Sequence, residues 1–397
     1  MKTRHKIVFL IVTMLVCVGL VLSSCTGGVT SRGWAGGAVS DGKLFVASMN
    51  GKVIAIDAST GTILGKPIQL LIQTSGGLGC LPVPSSCGGQ SASPVTIYAS
   101  PAVRGQIVFV AGTDGKIYGY TFTDNALRSE PEWIYPRQGT MSGVIIGGVV
   151  VANDRIYFGT SDGTIYALNA NGLYKEWTYN IGAKIWSAPV IDGDTLYIGT
   201  LNKKVYALNV SDGTKKWEYE TGGAVSSTPV IYDNQVYIGD YDRYFYALDK
   251  TTGNLVWQYP SDSNTADKPE NWFWAKPLLL NGVIYAPCLD GNVYALDGAT
   301  GKLIFKYEFG DSISSSPVAI GDSIIVATTD LYKKTGKVYL LNTLDKSQRE
   351  LDAFAEGINA PLFANGDVVY VHTTKDNLYG INIQTKTRQT FSLNTVK

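Results

Sequence analysis

The sequence predicts an all-β protein, an eight-bladed β-propeller of four-stranded antiparallel blades, on three observations. The first is self-similarity. Ile185 to Thr221 reads IWSAPVIDGDTLYIGTLNKKVYALNVSDGTKKWEYET, four short alternating strands in 37 residues, and Val225 to Tyr259 nearly repeats it. A period of this length marks a propeller blade or a solenoid turn. The second is a register marker, a proline eight residues before the middle of the second strand. It stands at Pro101, Pro189, Pro229, Pro277, Pro317 and Pro361, with Gly37 and Val149 in the matching places of two further copies. The gaps are 64, 48, 40, 40, 48, 40 and 44 residues, which makes eight units. The third is turn chemistry, with 44 glycines punctuating the strands. A solenoid would need distinct capping repeats at its ends, and none is visible. A closed ring leaves only short, protected sheet edges.

In chain order, the N-terminus reads as a targeting segment. Lys2, Arg4 and Lys6 precede an apolar run from Ile7 to Leu22, and Ser23-Ser24-Cys25 follows. A basic head, a short apolar core and small residues before a cut make a secretory signal. Leu22-Ser23-Ser24-Cys25 resembles the bacterial lipobox. That resemblance implies a signal peptide over 1–24, a lipid on Cys25 and a protein tethered outside the cytoplasm, with residues 25–32 as a linker. An uncleaved anchor helix is the alternative, but the run is shorter than the ~20 residues a span needs. The whole chain has 33 basic and 33 acidic residues; without the first 24 the balance is 30 against 33, or −3. That near-neutral charge excludes a nucleic-acid partner as the expected class.

The propeller is expected over 33–397. Blade one begins near Trp34, with strands around Leu44-Phe45-Val46 and Val53-Ile54-Ala55-Ile56. Its Asn50-Gly51 pair has the chemistry of a type I′ hairpin, repeated at Asp114-Gly115, Asp162-Gly163 and Asp290-Gly291. Residues 66–96 form the one long insertion, rich in Gly, Ser and Pro. It carries Cys80 and Cys87, expected to close a small loop by a disulfide outside the cytoplasm. It is either a lid or partner-binding loop or a tolerated surface insertion. Blade eight either uses its own last strand near Phe391 or borrows Thr26 to Arg32.

The link between third and fourth strands carries a family signal. ALNVSDGTKKW (Ala207 to Trp217) and ALDKTTGNLVW (Ala247 to Trp257) are the best copies; ALNANGLYKEW (Ala167 to Trp177) and ALDGATGKLIF (Ala295 to Phe305) are close. These resemble the tryptophan-docking motif of pyrroloquinoline-quinone (PQQ) propeller repeats. The resemblance implies that Trp177, Trp217, Trp257 and Phe305, with the turn glycines Gly213, Gly253 and Gly301, lock neighbouring blades together. A large indole packed on bare glycine backbone seals such a seam. Gly65 stands in the Trp place of blade one, and Trp133 follows a longer link in blade two.

Two kinds of protein resemble this repeat. Quinoprotein dehydrogenases hold PQQ and calcium in the central funnel. Non-catalytic lipoproteins include the propeller subunit of the outer-membrane β-barrel assembly machinery. The enzyme reading lacks an adjacent cysteine pair, a C-x-x-C-H site and the usual quinoprotein length. His372 is the only histidine beyond the signal segment, which leaves no His-based metal set and no Ser-His-Asp arrangement. Asp240, Asp242 and Arg243 read as a solvated hairpin tip rather than a calcium site, and Cys288 as a buried small hydrophobe. The expectation is therefore no catalytic residue, no metal and no cofactor, with PQQ and calcium only under the enzyme alternative. Protein partners in the cell envelope and a monomeric propeller follow from the lipoprotein resemblance; a glycan-binding surface protein is the third reading.

One pattern points to a site. Three residues before the register proline, blades five and seven carry Ser226 and Ser314, whereas blades one, two, four and six carry Trp34, Tyr98, Trp186 and Trp274. Side chains alternate along a strand, so if Val225 faces the blade packing these aromatics face the central channel. Lys276, two residues from Trp274, shares that side, with Trp272 nearby. The arrangement predicts either an aromatic-lined pocket at the channel mouth or aromatics that simply fill a wide channel.

Overall fold

The computed structural model describes residues 35–73, 92–262 and 268–393. The signal segment, Cys25, the 26–32 linker, Trp34, Cys80 and Cys87 lie outside the described residues. Within them the chain is an eight-bladed propeller of antiparallel sheets. Blade five is representative, with strands Val230–Tyr232, Gln235–Gly239, Phe245–Asp249 and Leu255–Tyr259 counted outward from the axis. Blade two differs. Its third strand, Lys116–Thr123, pairs with two separate outer pieces, Ala126–Leu127 and Trp133–Tyr135. In the 66–96 segment, residues up to Gln69 finish the outer strand of blade one, and Leu71–Gln73 pairs with Ala92–Pro94 as a separate ribbon.

Alternation along each strand sends side chains to the two faces of a blade, and both faces are covered by neighbours. The core is accordingly divided into eight clusters, one per seam. That between blades four and five joins Tyr197, Ala207 and Trp217 to Val236, Ile238 and Leu248. The ring closes through Leu44, Val46 and Ile54 of blade one against Tyr370, Leu378 and Phe391 of blade eight. Blade eight supplies its own outer strand, Arg388–Ser392, paired to Asn377–Asn382.

Two details correct the sequence reading. In blade eight, Ser315 Oγ donates to Ala360 O and the inner strand starts at Phe363, so Leu362, not Pro361, holds the proline place. The Asn-Gly and Asp-Gly pairs are also not type I′ turns. Only the glycines have positive φ (77° at Gly51, 73° at Gly115, 94° at Gly163, 86° at Gly291), which is the three-residue loop with one left-handed residue. The acidic side chain at such a turn binds its own loop: Asp162 Oδ1 accepts from the Thr164 amide. True double-positive turns join first and second strands, at Asp41-Gly42, Asn153-Asp154 and Asn281-Gly282.

Candidate functional site

The seams are built from one row of side chains per blade. In blade five, Val230, Tyr237, Ala247 and Trp257 stand opposite one another across the four strands. The small alanine leaves Tyr237 and Trp257 in tilted contact, 5.8 Å between centroids. Blades three and four repeat this with Tyr157–Trp177 and Tyr197–Trp217. Each indole then reaches the next blade: Trp177 Nε1 donates to Val210 O at 2.9 Å, Trp217 to Lys250 O and Trp257 to Gly298 O, both at 3.0 Å. The strand-two tyrosines add a second donor, Tyr197 to Lys250 O and Tyr237 to Gly298 O, each at 3.0 Å. Gly213, Gly253 and Gly301 lie under the rings with φ between 70° and 76°; a Cβ there would come within 2.5, 2.7 and 2.4 Å of Trp177, Trp217 and Trp257. Phe305 faces a different turn, with Lys346 at φ 59° and its ammonium 5.5 Å from the ring centroid.

At the remaining seams the lock varies: in blade two Trp133 stands opposite Gly119 and packs into the seam with blade three. Arg349 donates to Ile383 O between blades seven and eight, and Gln389 to Thr60 O between blades eight and one. In blade one Leu64, not Gly65, stands opposite Ala55. Phe45 and Phe122 meet edge to face across this seam, 5.2 Å between centroids, and a cleft of about 290 Å³ lies beside them, lined by the 40–43, 105–106 and 123–125 turns.

The docking turns carry a pH dependence. Asp57 Oδ1 accepts from Ser59 Oγ and from the Ser59 and Thr60 amides, bonds that bring its carboxyl down to about 2. Asp249, bound by the Thr252 amide first, and Asp297, bound by the Thr300 hydroxyl first, are lowered in the same way. Carboxyls with folded values below their unfolded ones stabilise the turn above the unfolded value, and that contribution disappears as pH falls through the folded one. The turn under Trp177 has Asn209 in that place but holds Asp212, lowered by the Thr214 hydroxyl and amide. Acidification from about pH 4 to about pH 2 should therefore speed hydrogen exchange of the Trp177, Trp217 and Trp257 indole N–H alike. Unchanged exchange at all three would refute the turn carboxylates as the cause.

At the axis, Ile185, Val225, Phe273 and Ile313 are fully buried in the seams. Their neighbours Trp186, Ser226, Trp274 and Ser314 therefore point the other way, toward the channel. Trp186 and Trp274 meet edge to face, 6.1 Å between centroids, across the small Ser226 of the blade between them. Tyr241, from the turn joining strands two and three of blade five, stacks on Trp272 at 4.4 Å and on Trp274 at 5.9 Å. The structure thus brings together Trp186, Trp274 and the neighbouring Trp272, and adds Tyr241. Tyr241 lies inside the Asp240–Arg243 hairpin tip, one residue past the buried Asp240. Tyr98 is half-buried on blade two, where desolvation pushes its hydroxyl up. Lys276 lies on the channel side of blade six, its amide bound to Ser316 Oγ. The residue is exposed, and partial desolvation lowers its pKa.

Three other residues have structural roles. Asp240 is buried rather than solvated, accepting from the Gly223 and Tyr244 amides and the Tyr246 hydroxyl. Burial raises its pKa against those bonds. Cys288 is a free, buried thiol with its pKa raised by burial. His372 is fully buried at ring closure, between Ala35 O at 2.8 Å and Asp376 Oδ1 at 2.9 Å.

A family model described as outer membrane protein assembly factor BamB matches residues 175–389. Among solved structures, the computationally designed Ika8 protein is similar at 14% identity and a TM-score of 0.65, over 92% of this chain and 98% of that one. BamB from Moraxella catarrhalis is similar at 21% identity and a TM-score of 0.58, over 81% of this chain and 90% of that one. No curated protein matches the sequence.

Proposed function

The chain belongs to the family of PQQ-type propellers described by the outer membrane protein assembly factor BamB, and from that premise we propose that it is a non-catalytic, extracytoplasmic lipoprotein scaffold. In this reading Cys25 carries the lipid anchor, and one monomeric propeller presents its faces to protein partners in envelope protein assembly. The observation that supports it most is the seam lock. Three indoles and two tyrosines spend their polar hydrogens on neighbouring blades, which gives a rigid ring whose turns are free to differ. Recognition sits on such loops when a rigid frame holds them.

The side chains that would serve an enzyme are engaged in the frame. The ring nitrogens of His372 are both used at closure, and Asp240 caps a turn with three bonds. Among the described residues no three His, Cys, Asp or Glu side chains converge as a metal set. The test is photo-cross-linking in the source cell from two exposed turns on opposite faces, at Asp242 and at Asp212. A defined membrane-protein adduct from one face and not the other is the expected result. No protein adduct from either face, or saturable binding of PQQ with calcium coupled to alcohol or sugar oxidation, would overturn the reading.

A further inference from the structure

The channel mouth at blades four to six has donors without acceptors. Ser226 is more than nine-tenths buried, and its Oγ has no hydrogen-bond partner among the described residues. Trp186 Nε1, also buried, has none either. Beside them stands a cation. Lys276 makes no ion pair among the described residues, and its neighbours at the same level of the inner ring, Ala188, Thr228, Ser316 and Pro361, are uncharged. Buried polar groups left unpaired destabilise a fold, and Lys276, though exposed, is partly desolvated without a counter-charge. Here they surround four partly exposed aromatic rings, Trp186, Tyr241, Trp272 and Trp274.

The charge and the rings name the missing partner. Trp274 and Lys276 are two residues apart, on either side of a bend at Ala275, in the segment that leads into the inner strand Leu278–Leu280. We propose that this mouth receives an acidic segment of a protein partner in which an Asp or Glu lies close to an aromatic residue. The carboxylate sits at Lys276, the ring lies against Trp186 and Trp274, and peptide carbonyls take up the Trp186 and Ser226 donors. Aromatic pairs of this kind favour edge-to-face and offset contact, which a ring entering beside Trp186 obtains. This inference rests on the scaffold reading and specifies what one face recognises.

Lys276 supports the assignment from a second side. Desolvation disfavours its charged form, so the position is held against its own stability. Because the folded value lies below the unfolded one, the penalty is full at neutral pH and is relieved only as pH rises from the folded value toward the unfolded one. Lys276→Met should therefore not lower the thermal midpoint at neutral pH.

The experiment is calorimetric titration of the full chain in detergent micelles with the blocked peptide acetyl-Gly-Asp-Gly-Phe-Gly-amide and its Asn counterpart. The acidic peptide is expected to bind at least about tenfold more tightly than the amide, a charge preference that weakens with salt. Lys276→Met should abolish the preference without lowering the thermal midpoint, and Trp186→Ala should weaken both peptides. Equal affinities for the two peptides, an acid preference surviving in Lys276→Met, or no heat from either peptide up to about 5 mM would each overturn the inference. A face-specific cross-link at Asp242 alongside such a result would keep the scaffold and remove only this recognition element.

Discussion

Replacing Asp376 with alanine is expected to lower global stability by about 3–5 kcal/mol, because it strips one partner from a buried charged hydrogen-bond set. Ala35 O can only accept, so His372 Nδ1 carries a hydrogen, and Nε2 faces Asp376 Oδ1, which also accepts the Met49 amide. Two of these three bonds, His372 to Ala35 O and the Met49 amide to Asp376, tie blade one to blade eight across more than 300 residues, and the third joins His372 to Asp376 within blade eight. Asp376 also sits at φ 65°, which Asp and Asn tolerate and alanine does not. Asp376→Asn separates the two effects. It keeps the backbone and one acceptor but loses the charge, and should cost distinctly less. Urea midpoints would measure both variants, and hydrogen exchange should rise first in Lys43–Ala47 and Val368–His372, the two strands that the pair joins. A loss under about 1 kcal/mol for the alanine variant would mean that the apolar contacts of Leu44, Val46 and Tyr370 close the ring unaided.

The sequence made the blade count legible because each blade repeats one problem, burying two faces of a twisted sheet against two neighbours. Pro189, Pro229, Pro277 and Pro317 mark the inner strand of that repeat, and Trp177, Trp217 and Trp257 its outer strand. What was not legible lies where contacts are far apart in sequence. Asp376 is only four residues from His372, but nothing local shows Ala35 or Met49 meeting that pair from the other end of the chain. Tyr197 and Tyr237 recur at one place in TLYIG and QVYIG, which signals a shared role, but not that their hydroxyls reach carbonyls 53 and 61 residues away. Asp240 reads as a solvated tip since only the neighbouring 222–223 loop buries it. The Leu362 register was obscured by Pro361, one residue early, whose ring satisfies the pattern without holding its place. The aromatic mouth was half legible. Alternation points Trp186 and Trp274 to the axis, but only the ring geometry shows blade five's serine leaving room for them to meet.

Trp217→Ala is the second large effect, expected at about 3–5 kcal/mol as a buried indole is removed from a seam that cannot collapse around the void. The ring is buried against Tyr197 and lies on Gly253, and its own strand, the outer edge of the blade, is held by its pairing with Lys204–Asn209. Its hydrogen bond is the smaller part. Lys250 O keeps the Tyr197 hydroxyl when the indole is gone, so Trp217→Phe, the residue type that Phe305 shows in blade six, should cost only about 1 kcal/mol beyond its lost area. Gly253→Ala probes the other half of the contact. The new Cβ would meet the indole at 2.7 Å on a backbone at φ 76°, which adds overpacking of about 1–3 kcal/mol to left-handed strain of about 1–2 kcal/mol. In the Trp217→Ala background the overpacking has no ring to press on and only the strain remains. The two substitutions should thus be less destabilising together than their sum, by about 1–2 kcal/mol in a double-mutant cycle. Additivity would mean that glycine is needed at this turn for its backbone alone, and that the indole seals the seam without depending on the bare surface beneath it.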